Sequence, residues 1–389
     1  MTDATNNRTG RTIAGLLACL LALALALPAG HAAQLHRLYL PVARQPYRLY
    51  LPATGFAGAP EAEVQQAESG LFGPALLFAS AAPTGFVTRS GEALRLNGQP
   101  YTFLGTNVSY LAGPFFPEDR VVEVVSALAS RGVQVLRVFV EPWCDLGRVE
   151  RLLDLGRQHN VRFILTLEDF YGRTDGYYFK AKFESEGLPH LRRMASRFAN
   201  RPEVLMWELM NEPTCPAEDS GQDCWDALYR WAQQTSEELK RLDPNHLVAT
   251  GMQHAGFSQQ AIDTFRRIHA LDSIDLVSVH GEAGKLAQGE RNREREIARE
   301  LGKPIYVGEA YRKGLNERCE PLSTETLQAR AQAIAAEIAF SAEAGIDGYL
   351  LWQYAYGGVD MGGGQIQYFC GVYDYFADDP VWKLMRPSE

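Results

Sequence analysis

The sequence predicts an α/β protein built as a (β/α)8, or TIM, barrel, in which eight strand-then-helix units close into a cylinder. Short apolar runs alternate with longer amphipathic stretches from Gly85 onward, and these runs number eight. The chain has 389 residues, 46% of them hydrophobic, which is enough for a large core. Since this fold gathers its functional groups at the carboxyl ends of the strands, we expect them there.

The predicted strands are the eight apolar runs. They are residues 101–105, 133–138, 162–166, 204–209, 247–250, 276–279, 304–307 and 349–352. Between them, apolar residues recur every three or four positions, which predicts helices such as 119–130, 149–159, 224–241 and 324–344. A hairpin-like stretch, residues 86–98, is expected to plug the bottom of the barrel. The mixed-charge run 290–300 is interpreted as the solvated face of a helix.

The first 84 residues precede the barrel and form two predicted segments. Arg8 and Arg11 stand before an apolar run, residues 13–27, and small residues follow it, which is typical of an export signal ending near residue 33. A membrane span needs about 18 to 20 apolar residues, so no span is expected after cleavage, with an uncleaved anchor as the alternative. Residues 34–84, rich in Ala, Pro and polar residues, predict a tether or two short strands. We therefore expect a secreted monomer with signal 1–33, tether 34–84 and barrel 85–389, and cell-surface association as an alternative.

The cysteines of an exported chain are expected to form disulfides. Beyond the signal they are Cys144, Cys215, Cys224, Cys319 and Cys370. This odd number predicts two bridges and one spare thiol, with Cys215–Cys224 as the best candidate pair and Cys319–Cys370 as the next. No Cys-x-x-Cys spacing occurs, so a metal held by cysteines is not expected. The net charge of -9 leaves no basic face, which argues against nucleic acid as a partner.

Polar side chains gather at the ends of the predicted strands. They are Asn107, Arg137, Glu168, Asp169, Asn211, Glu212, His254, His280, Glu309 and Trp352. Two carboxylic acids among them, Glu212 and Glu309, are the minimum equipment for cleaving a glycosidic bond. Structural alternatives stay open for single residues: Arg137 and Glu208 could be a buried ion pair, and His280 a hydrogen-bonded core imidazole.

In their order and spacing, six short pieces resemble glycoside hydrolase family 5, in the clan of retaining (β/α)8 glycosidases. The pieces are Gly105-Thr106-Asn107, Leu136-Arg137-Val138, residues 207–213 with Asn-Glu-Pro, His280, Val307-Gly308-Glu309 and Leu351-Trp352-Gln353. The tripeptide Asn-Glu-Pro alone is a weak signal. Together the pieces cover the chain from residue 85 to its end and make the joint signal specific.

The resemblance implies the catalytic roles. Glu212 would be the general acid and then the base, and Glu309 the nucleophile that forms a glycosyl-enzyme intermediate. Arg137 would lower the pKa of Glu309, whereas Glu212 needs a raised pKa to carry a proton. His280 would order both carboxyl groups. A retaining mechanism places the two carboxyl groups about 5 to 5.5 Å apart, so we expect that separation here.

The resemblance also implies a set of substrate-binding residues. They are Asn107, Arg137, Asn211, His280 and Trp352. Asn211 would bind the 2-hydroxyl of the sugar in the cleavage subsite, and Trp352 would form the stacking floor of that subsite. No cofactor and no metal site are expected, because a metal-dependent barrel hydrolase would carry His-x-His after its first strand.

One position departs from the family pattern. The family carries His-x-Tyr after strand six, and its tyrosine touches the nucleophile. Here the third residue is Glu282, in His280-Gly281-Glu282. Either another tyrosine, such as Tyr311, supplies the hydroxyl, or the site is tuned differently.

Aromatic residues follow several predicted strands. They are Tyr110, Trp143, Tyr171, Tyr177, Tyr178, Tyr354, Tyr356 and Tyr368. Sugar rings pack their C–H faces on aromatic planes, so this rim suits a neutral oligosaccharide, although about half of these residues are expected only to pack loops. The motifs most resemble the endo-β-1,4-mannanase branch, which implies β-mannan as substrate. A cellulase-like β-1,4-glucanase and a non-catalytic sugar-binding barrel are the alternatives.

Overall fold

The computed structural model describes residues 85–114, 116–170, 182–215, 221–316, 320–355, 357–360, 366–369 and 373–385, with backbone only for 357–360 and 366–369. The predicted signal (1–33) and tether (34–84) lie outside the described residues. So do Cys319, Cys370, Tyr171, Tyr177, Tyr178, Tyr356 and the side chain of Tyr368. Within the described ranges, no helix combines the length and the apolar character that crossing a membrane requires.

Eight parallel strands alternate with helices, which confirms the predicted (β/α)8 barrel. The strands are β1 (Val87–Ser90), β2 (Ala93–Leu96), β3 (Gln99–Pro100), β4 (Phe103–Asn107), β5 (Val135–Phe139), β6 (Arg162–Thr166), β7 (Val204–Glu208), β8 (Leu247–Ala249), β9 (Val277–Glu282), β10 (Ile305–Tyr311), β11 (Gly348–Leu351), β12 (Gly357–Asp360) and β13 (Ile366–Phe369). The α-helices are α1 (Glu118–Ser130), α2 (Leu146–His159), α3 (Leu188–Phe198), α4 (Gln222–Leu242), α5 (Gln259–His269), α6 (Asn292–Glu300) and α7 (Thr324–Glu343). A π-helical turn (Phe183–Gly187) and two 3₁₀ helices (Leu286–Gln288 and Pro380–Met385) complete the described elements.

The barrel consists of β4 to β11, and each of these strands coincides with one predicted run. The largest differences are at β9 and β10, which continue beyond the predicted ends. Glu309 pairs with His280 and Tyr311 pairs with Glu282 in the β9–β10 ladder. The polar residues that were expected to follow these strands therefore lie within them, held by ladder hydrogen bonds.

The cylinder closes between β8 and β9. Around the barrel the strands run in the order β8, β7, β6, β5, β4, β11, β10, β9. A single bridge, between Ala249 and Leu276, joins the two ends of this sheet. Asp275 extends the junction, because its N–H donates to the Val248 carbonyl at 2.8 Å and its carboxylate accepts from the Val248 N–H at 2.7 Å.

The hairpin of β1 and β2 closes the amino-terminal end of the barrel, as the sequence predicted. Val87, Leu94 and Leu96 belong to the same buried apolar cluster as side chains from the barrel interior, such as Ile164. The Leu94 N–H donates to the carboxylate of Asp347, directly before β11. A second, larger core lies between the strands and the helices. Because apolar side chains fill the amino-terminal end of the barrel, a functional site is expected at the carboxyl-terminal end.

The described cysteines agree with the predicted pairing. Cys215 and Cys224 form a disulfide that links the segment after β7 to the start of α4. Cys144 is a buried free thiol, and burial raises its pKa to about 12. A thiol in that state is a packing residue and not a nucleophile.

Candidate active site

Glu212 and Glu309 face each other at the carboxyl ends of the strands, with His280 between them. One carboxylate oxygen from each glutamate and one ring nitrogen of His280 all lie within 4.8 Å of one another. His280 Nδ1 lies 2.8 Å from Glu212 Oε1 and 3.5 Å from Glu309 Oε1. The carboxyl groups therefore have the short separation that a retaining mechanism uses, about 5 to 5.5 Å, and not the wider one of inverting enzymes.

Glu309 is held by a buried arginine. Arg137 is fully buried and donates from Nη1 to Glu309 Oε1 at 2.8 Å. The same guanidinium donates from Nε to Glu208 Oε1 at 2.8 Å and also contacts the side-chain oxygens of Asn107 and Asn211, each at 2.9 Å. The predicted Arg137–Glu208 ion pair is thus present, and it is part of the candidate site.

The remaining acceptor positions of Glu208 are also occupied. Its Oε1 accepts from the Thr166 hydroxyl at 2.9 Å, and its Oε2 accepts from the Tyr306 hydroxyl at 2.5 Å. Glu208 is completely buried. A buried charge persists only when it is paired and hydrogen-bonded, and this carboxylate is both.

The electrostatics of Glu309 differ from the expectation drawn from Arg137 alone. Burial raises the pKa of Glu309 to about 7, and His280 and Arg137 only partly oppose it. Arg137 lowers the pKa of Glu309, as expected, but the net shift is upward because burial and the charges of Glu212 and Glu208 outweigh it. Burial would also lower the pKa of Arg137, but Glu208 and Glu309 outweigh it and the net pKa is raised.

The two carboxyl groups titrate together. The charge of Glu212 is one of the causes that raise the pKa of Glu309. Groups that interact this strongly lose their protons in steps that belong to the pair. The protonation of one carboxyl group therefore depends on the charge of the other.

Glu212 adopts an unusual backbone conformation. Its φ of 49° lies in the left-handed region, which residues other than glycine rarely occupy. The Glu212 N–H donates to the Gly251 carbonyl at 2.9 Å. Gly251 is itself at φ 77°, and a Cβ there would lie 1.9 Å from the Met210 carbonyl oxygen. The chain after β7 is thus bent so that Glu212 points into the barrel mouth.

His280 is fully buried on β9. A Cβ on Gly308 would lie 2.8 Å from His280 Nε2, so glycine at this position leaves the space that the imidazole occupies. The ring is fixed by packing on one side and by the two carboxylates on the other. The side chain that was predicted to order both glutamates contacts both of them.

The other predicted substrate-binding residues differ in accessibility. Asn107 is fully buried, and its amide donates to the carbonyls of Gly308 and Leu351. Asn211 donates to Asp169 at 3.0 Å while its oxygen accepts from Arg137. Trp352 is half-buried at the end of β11. Asn107 contacts only protein groups, whereas Trp352 keeps an accessible surface.

The tyrosine substitute suggested for the family's His-x-Tyr, Tyr311, lies near the site without contacting Glu309. Tyr311 ends β10, and burial, together with the charges of Glu290, Glu212 and Glu309, raises its pKa to about 12. Among the described residues, no hydrogen bond joins its hydroxyl to Glu309. Its ring instead packs against Tyr373, with centroids 5.4 Å apart.

The described rim aromatics divide as expected. The Tyr110 hydroxyl donates to the Tyr354 carbonyl at 2.7 Å, and the Tyr354 ring packs on Trp382. Both tyrosines therefore pack loops. Trp143, after β5, is 45% exposed and is the described member of the set most open to a ligand.

The interpretation of the charged run 290–300 as a solvated face is wrong for two of its residues. Arg291 donates from Nε to the His280 carbonyl at 2.6 Å. Glu294 is buried and accepts from the Ala255 N–H at 2.7 Å. Charge patterning could not reveal these contacts, because they depend on how α6 meets the loop after β8.

Glu212, His280 and Glu309 also form a donor set that a cation could occupy. One imidazole and two carboxylates are ligand types that divalent transition metals accept. A chelator distinguishes this possibility from metal-independent catalysis. The absence of a metal requirement stays a prediction.

Comparison with known proteins finds a family model and several mannan-cleaving relatives that this chain resembles. Residues 170–285 match a family model described as "GH family 5 beta-mannosidase-like". "Probable mannan endo-1,4-beta-mannosidase F" of Neosartorya fischeri is 26% identical over 217 residues, covering 44% of this chain and 46% of that protein. "Mannan endo-1,4-beta-mannosidase F" of Aspergillus fumigatus is 27% identical over 221 residues, covering 45% and 49%. The chain spans about half the length of these relatives.

Solved structures share the fold. The endo-1,4-beta-mannanase from Rhizomucor miehei matches with a TM-score of 0.61 at 19% identity, over 78% of this chain and 98% of that one. The endo-beta-1,4-mannanase from Thermotoga petrophila matches with a TM-score of 0.59 at 17% identity, over 74% and 76%. These structures share the fold, while the family model over residues 170–285 and the mannan endo-1,4-beta-mannosidase relatives confirm the resemblance to glycoside hydrolase family 5 and its mannanase branch.

Proposed function

We propose that this chain is a retaining glycoside hydrolase that cleaves β-1,4-linked mannan by double displacement. The observation that carries the proposal is that a carboxylate oxygen of Glu212 and one of Glu309 lie within 4.8 Å of each other, both next to His280 Nδ1. Two carboxyl groups at this separation can act on the same acetal carbon and its leaving oxygen.

In the first step Glu309 attacks the anomeric carbon while Glu212 gives its proton to the glycosidic oxygen. The bond to the leaving sugar breaks and a glycosyl ester to Glu309 forms. In the second step Glu212 takes a proton from water, and the water oxygen displaces Glu309 from the sugar. The two inversions restore the original anomeric configuration.

This chemistry needs a proton on Glu212 and an ionised Glu309. Arg137 supports the anionic form of Glu309 by charge and by a hydrogen bond at 2.8 Å. His280 Nδ1 is closer to Glu212 than to Glu309, and so it orients the acid. One proton for two carboxyl groups gives the enzyme an acid and a nucleophile at the same pH.

The buried Asn107 and Arg137 act on Glu309 and not directly on the sugar. Asn107 fixes the guanidinium, which in turn fixes the nucleophile. Asn211 has one amide hydrogen left after its bond to Asp169, and this hydrogen is available to the 2-hydroxyl of the substrate. Trp352 provides the stacking floor.

Mannan is favoured as substrate because relatives at 26% and 27% identity are named as mannan endo-1,4-beta-mannosidases. The acidic net charge of -9 suits a neutral polysaccharide better than a polyanion. The organisation into an export signal (1–33), a tether (34–84) and a catalytic barrel (85–389) is part of the proposal. So are secretion and a monomeric state.

The test is release of reducing ends from mannan, glucan and xylan, with the anomer of the first product followed by NMR. We expect release from mannan above the other two, a β product, and no loss of activity with a chelator. Higher activity on glucan would move the substrate to the glucanase alternative. An α product would overturn the retaining mechanism, and no release from any polysaccharide would favour a binding barrel.

A further inference from the structure

The loop between β8 and α5, residues 250–258, lies directly beside the proposed acid. The Glu212 N–H donates to the Gly251 carbonyl and the His280 N–H donates to the Gln253 carbonyl, both at 2.9 Å. Its next residues, His254 and Phe257, are therefore carried at the rim between Glu212 and His280.

The loop is fixed by its neighbour α6. The Ala255 N–H donates to the buried carboxylate of Glu294 at 2.7 Å, and the Gly256 carbonyl accepts from Arg293 at 3.0 Å. Ser258 closes the loop by capping α5, where its hydroxyl accepts from the Ala261 N–H. These hydrogen bonds fix the backbone of the loop, so His254 and Phe257 start from a constant position.

Phe257 is 91% exposed, the most exposed large apolar side chain among the described residues. Its ring leans on the imidazole of His254, with centroids 5.3 Å apart and an angle of 49° between the planes. A single exposed aromatic residue is common on protein surfaces. What distinguishes Phe257 is that it belongs to the hydrogen-bonded loop 250–258, whose Gly251 carbonyl accepts the N–H of the proposed acid, Glu212.

His254 supplies a polar group next to this ring. Its Nδ1 accepts the Gly256 N–H at 2.8 Å, so the neutral imidazole carries its hydrogen on Nε2. Burial lowers the pKa of His254, and Arg291 lowers it further, against the opposite effects of Glu294 and Glu212. At neutral pH the pair thus offers an aromatic face and an N–H donor, the two features that a sugar ring binds.

We infer that His254 and Phe257 form the subsite for the leaving-group sugar. Around the rim the groups follow the order Trp352 on β11, Glu309 on β10, His280 on β9, the β8–α5 loop, and Glu212 after β7. The acid faces the glycosidic oxygen, so the departing sugar lies on the side of Glu212, away from Trp352. This inference rests on the proposed hydrolase function and names the side of the cleft on which the loop acts.

The same subsite selects the acceptor in the second step. When a sugar instead of water occupies it, a hydroxyl of that sugar attacks the anomeric carbon. The bond to Glu309 breaks, Glu212 takes the hydroxyl proton, and a new glycosidic bond forms. The loop therefore influences the ratio of transfer to hydrolysis as well as cleavage.

The test compares two substrates in Phe257→Ala. Mannotetraose leaves a sugar in this subsite, whereas β-mannobiosyl fluoride leaves only fluoride. We expect kcat/KM to fall about tenfold on mannotetraose and by less than about twofold on the fluoride. The ratio of transfer to hydrolysis with mannobiose as acceptor should fall in parallel, and Phe257→Trp should restore both quantities.

The control is Val122→Ala, which removes an exposed apolar side chain (49% exposed) from α1, outside the site. It should leave both substrates unaffected. Equal losses on both substrates in Phe257→Ala, or no loss on mannotetraose, would overturn the subsite while leaving the hydrolase intact. Wild-type protein inactive on both substrates would overturn the proposed function and the subsite together.

Discussion

The two carboxyl groups of the site are held in place by different means. Glu309 lies within β10, and its oxygen is fixed by the fully buried Arg137, which Glu208 also binds. Glu212 lies beyond β7 in a left-handed backbone conformation, fixed by the Gly251 carbonyl. The position of the proposed nucleophile, Glu309, therefore depends on a charged partner, whereas the position of the proposed acid, Glu212, depends on the backbone conformation. Different substitutions should displace the two carboxyl groups.

Removal of either carboxyl group gives the largest expected effect. Glu309→Ala should lower kcat on mannan on the order of 10⁵-fold. With an activated β-mannoside, added azide should restore part of the rate and give the α-azide, because azide then attacks from the side of the missing nucleophile.

Glu212→Ala is the matched variant for the acid. Azide should restore turnover of the same activated substrate but give the β-azide, since it then replaces water on the glycosyl ester. Both products are identified by NMR. An exchange of the two anomers would reverse the assignment of acid and nucleophile.

Loss of the arginine should be the largest stability effect. Arg137→Met leaves Glu208 and Glu309 buried without their cation, which costs about 3 to 5 kcal/mol. The free energy of unfolding is measured in urea. Arg330→Met, which breaks the buried Arg330–Asp379 pair away from the site, should also destabilise but leave kcat of the folded enzyme unchanged. Equal kcat for both variants would contradict the role of Arg137.

Removal of the disulfide should loosen the segment after β7, which carries the proposed acid Glu212. Cys215 and Cys224 are 9 positions apart, and opening a loop of this size costs about 2 to 3 kcal/mol. The Cys215→Ala/Cys224→Ala variant should lose that free energy of unfolding. Its kcat/KM, which reports the first step, should fall more on mannotetraose, whose leaving sugar needs the acid, than on a mannosyl fluoride, whose leaving fluoride does not. Equal falls would separate the disulfide from Glu212.

The pH profile should show the smallest effect. Burial raises the pKa of Glu309 to about 7, and the charge of Glu212 contributes to that rise. Because the two carboxyl groups interact, kcat/KM should fall as the pH rises and they lose the proton that the acid needs. Glu208→Gln removes a negative charge that raises this pKa, which should move the basic limb to lower pH. Thr166→Val, which removes a hydrogen bond to Glu208 without changing charge, should leave the limb in place.

Much of the fold followed from the sequence. The barrel strands are buried on both faces, so each appears in the sequence as an apolar run that predicts a strand. The ends of β9 and β10 were misjudged because Gly281 and Gly308 interrupt the apolar pattern, although the ladder continues past both. The length of a ladder depends on the neighbouring strand, whose residues are distant in the sequence and so do not enter a local pattern.

The site was predicted more completely in its residues than in its energetics. Glu212, Glu309 and His280 could be placed together because parallel strands deliver their ends to one face. The net pKa of Glu309 could not be predicted, because it depends on the depth of burial and on the sharing of Arg137. Phe257 had no sequence signal, since an exposed aromatic residue in a loop resembles any other until its neighbours are known.

The junction between β8 and β9 has a consequence for how this protein would unfold on heating. Most neighbouring barrel strands are joined by a ladder of several pairs, whereas β8 and β9 share one bridge and a few separate hydrogen bonds, made by Asp275, Ser278 and His280. On warming, amide hydrogen exchange should begin at the junction between β8 and β9. The loop after β8 supplies the Gly251 carbonyl that accepts the Glu212 N–H. Opening of this junction by heat should therefore displace the proposed proton donor, Glu212, before the proposed nucleophile, Glu309.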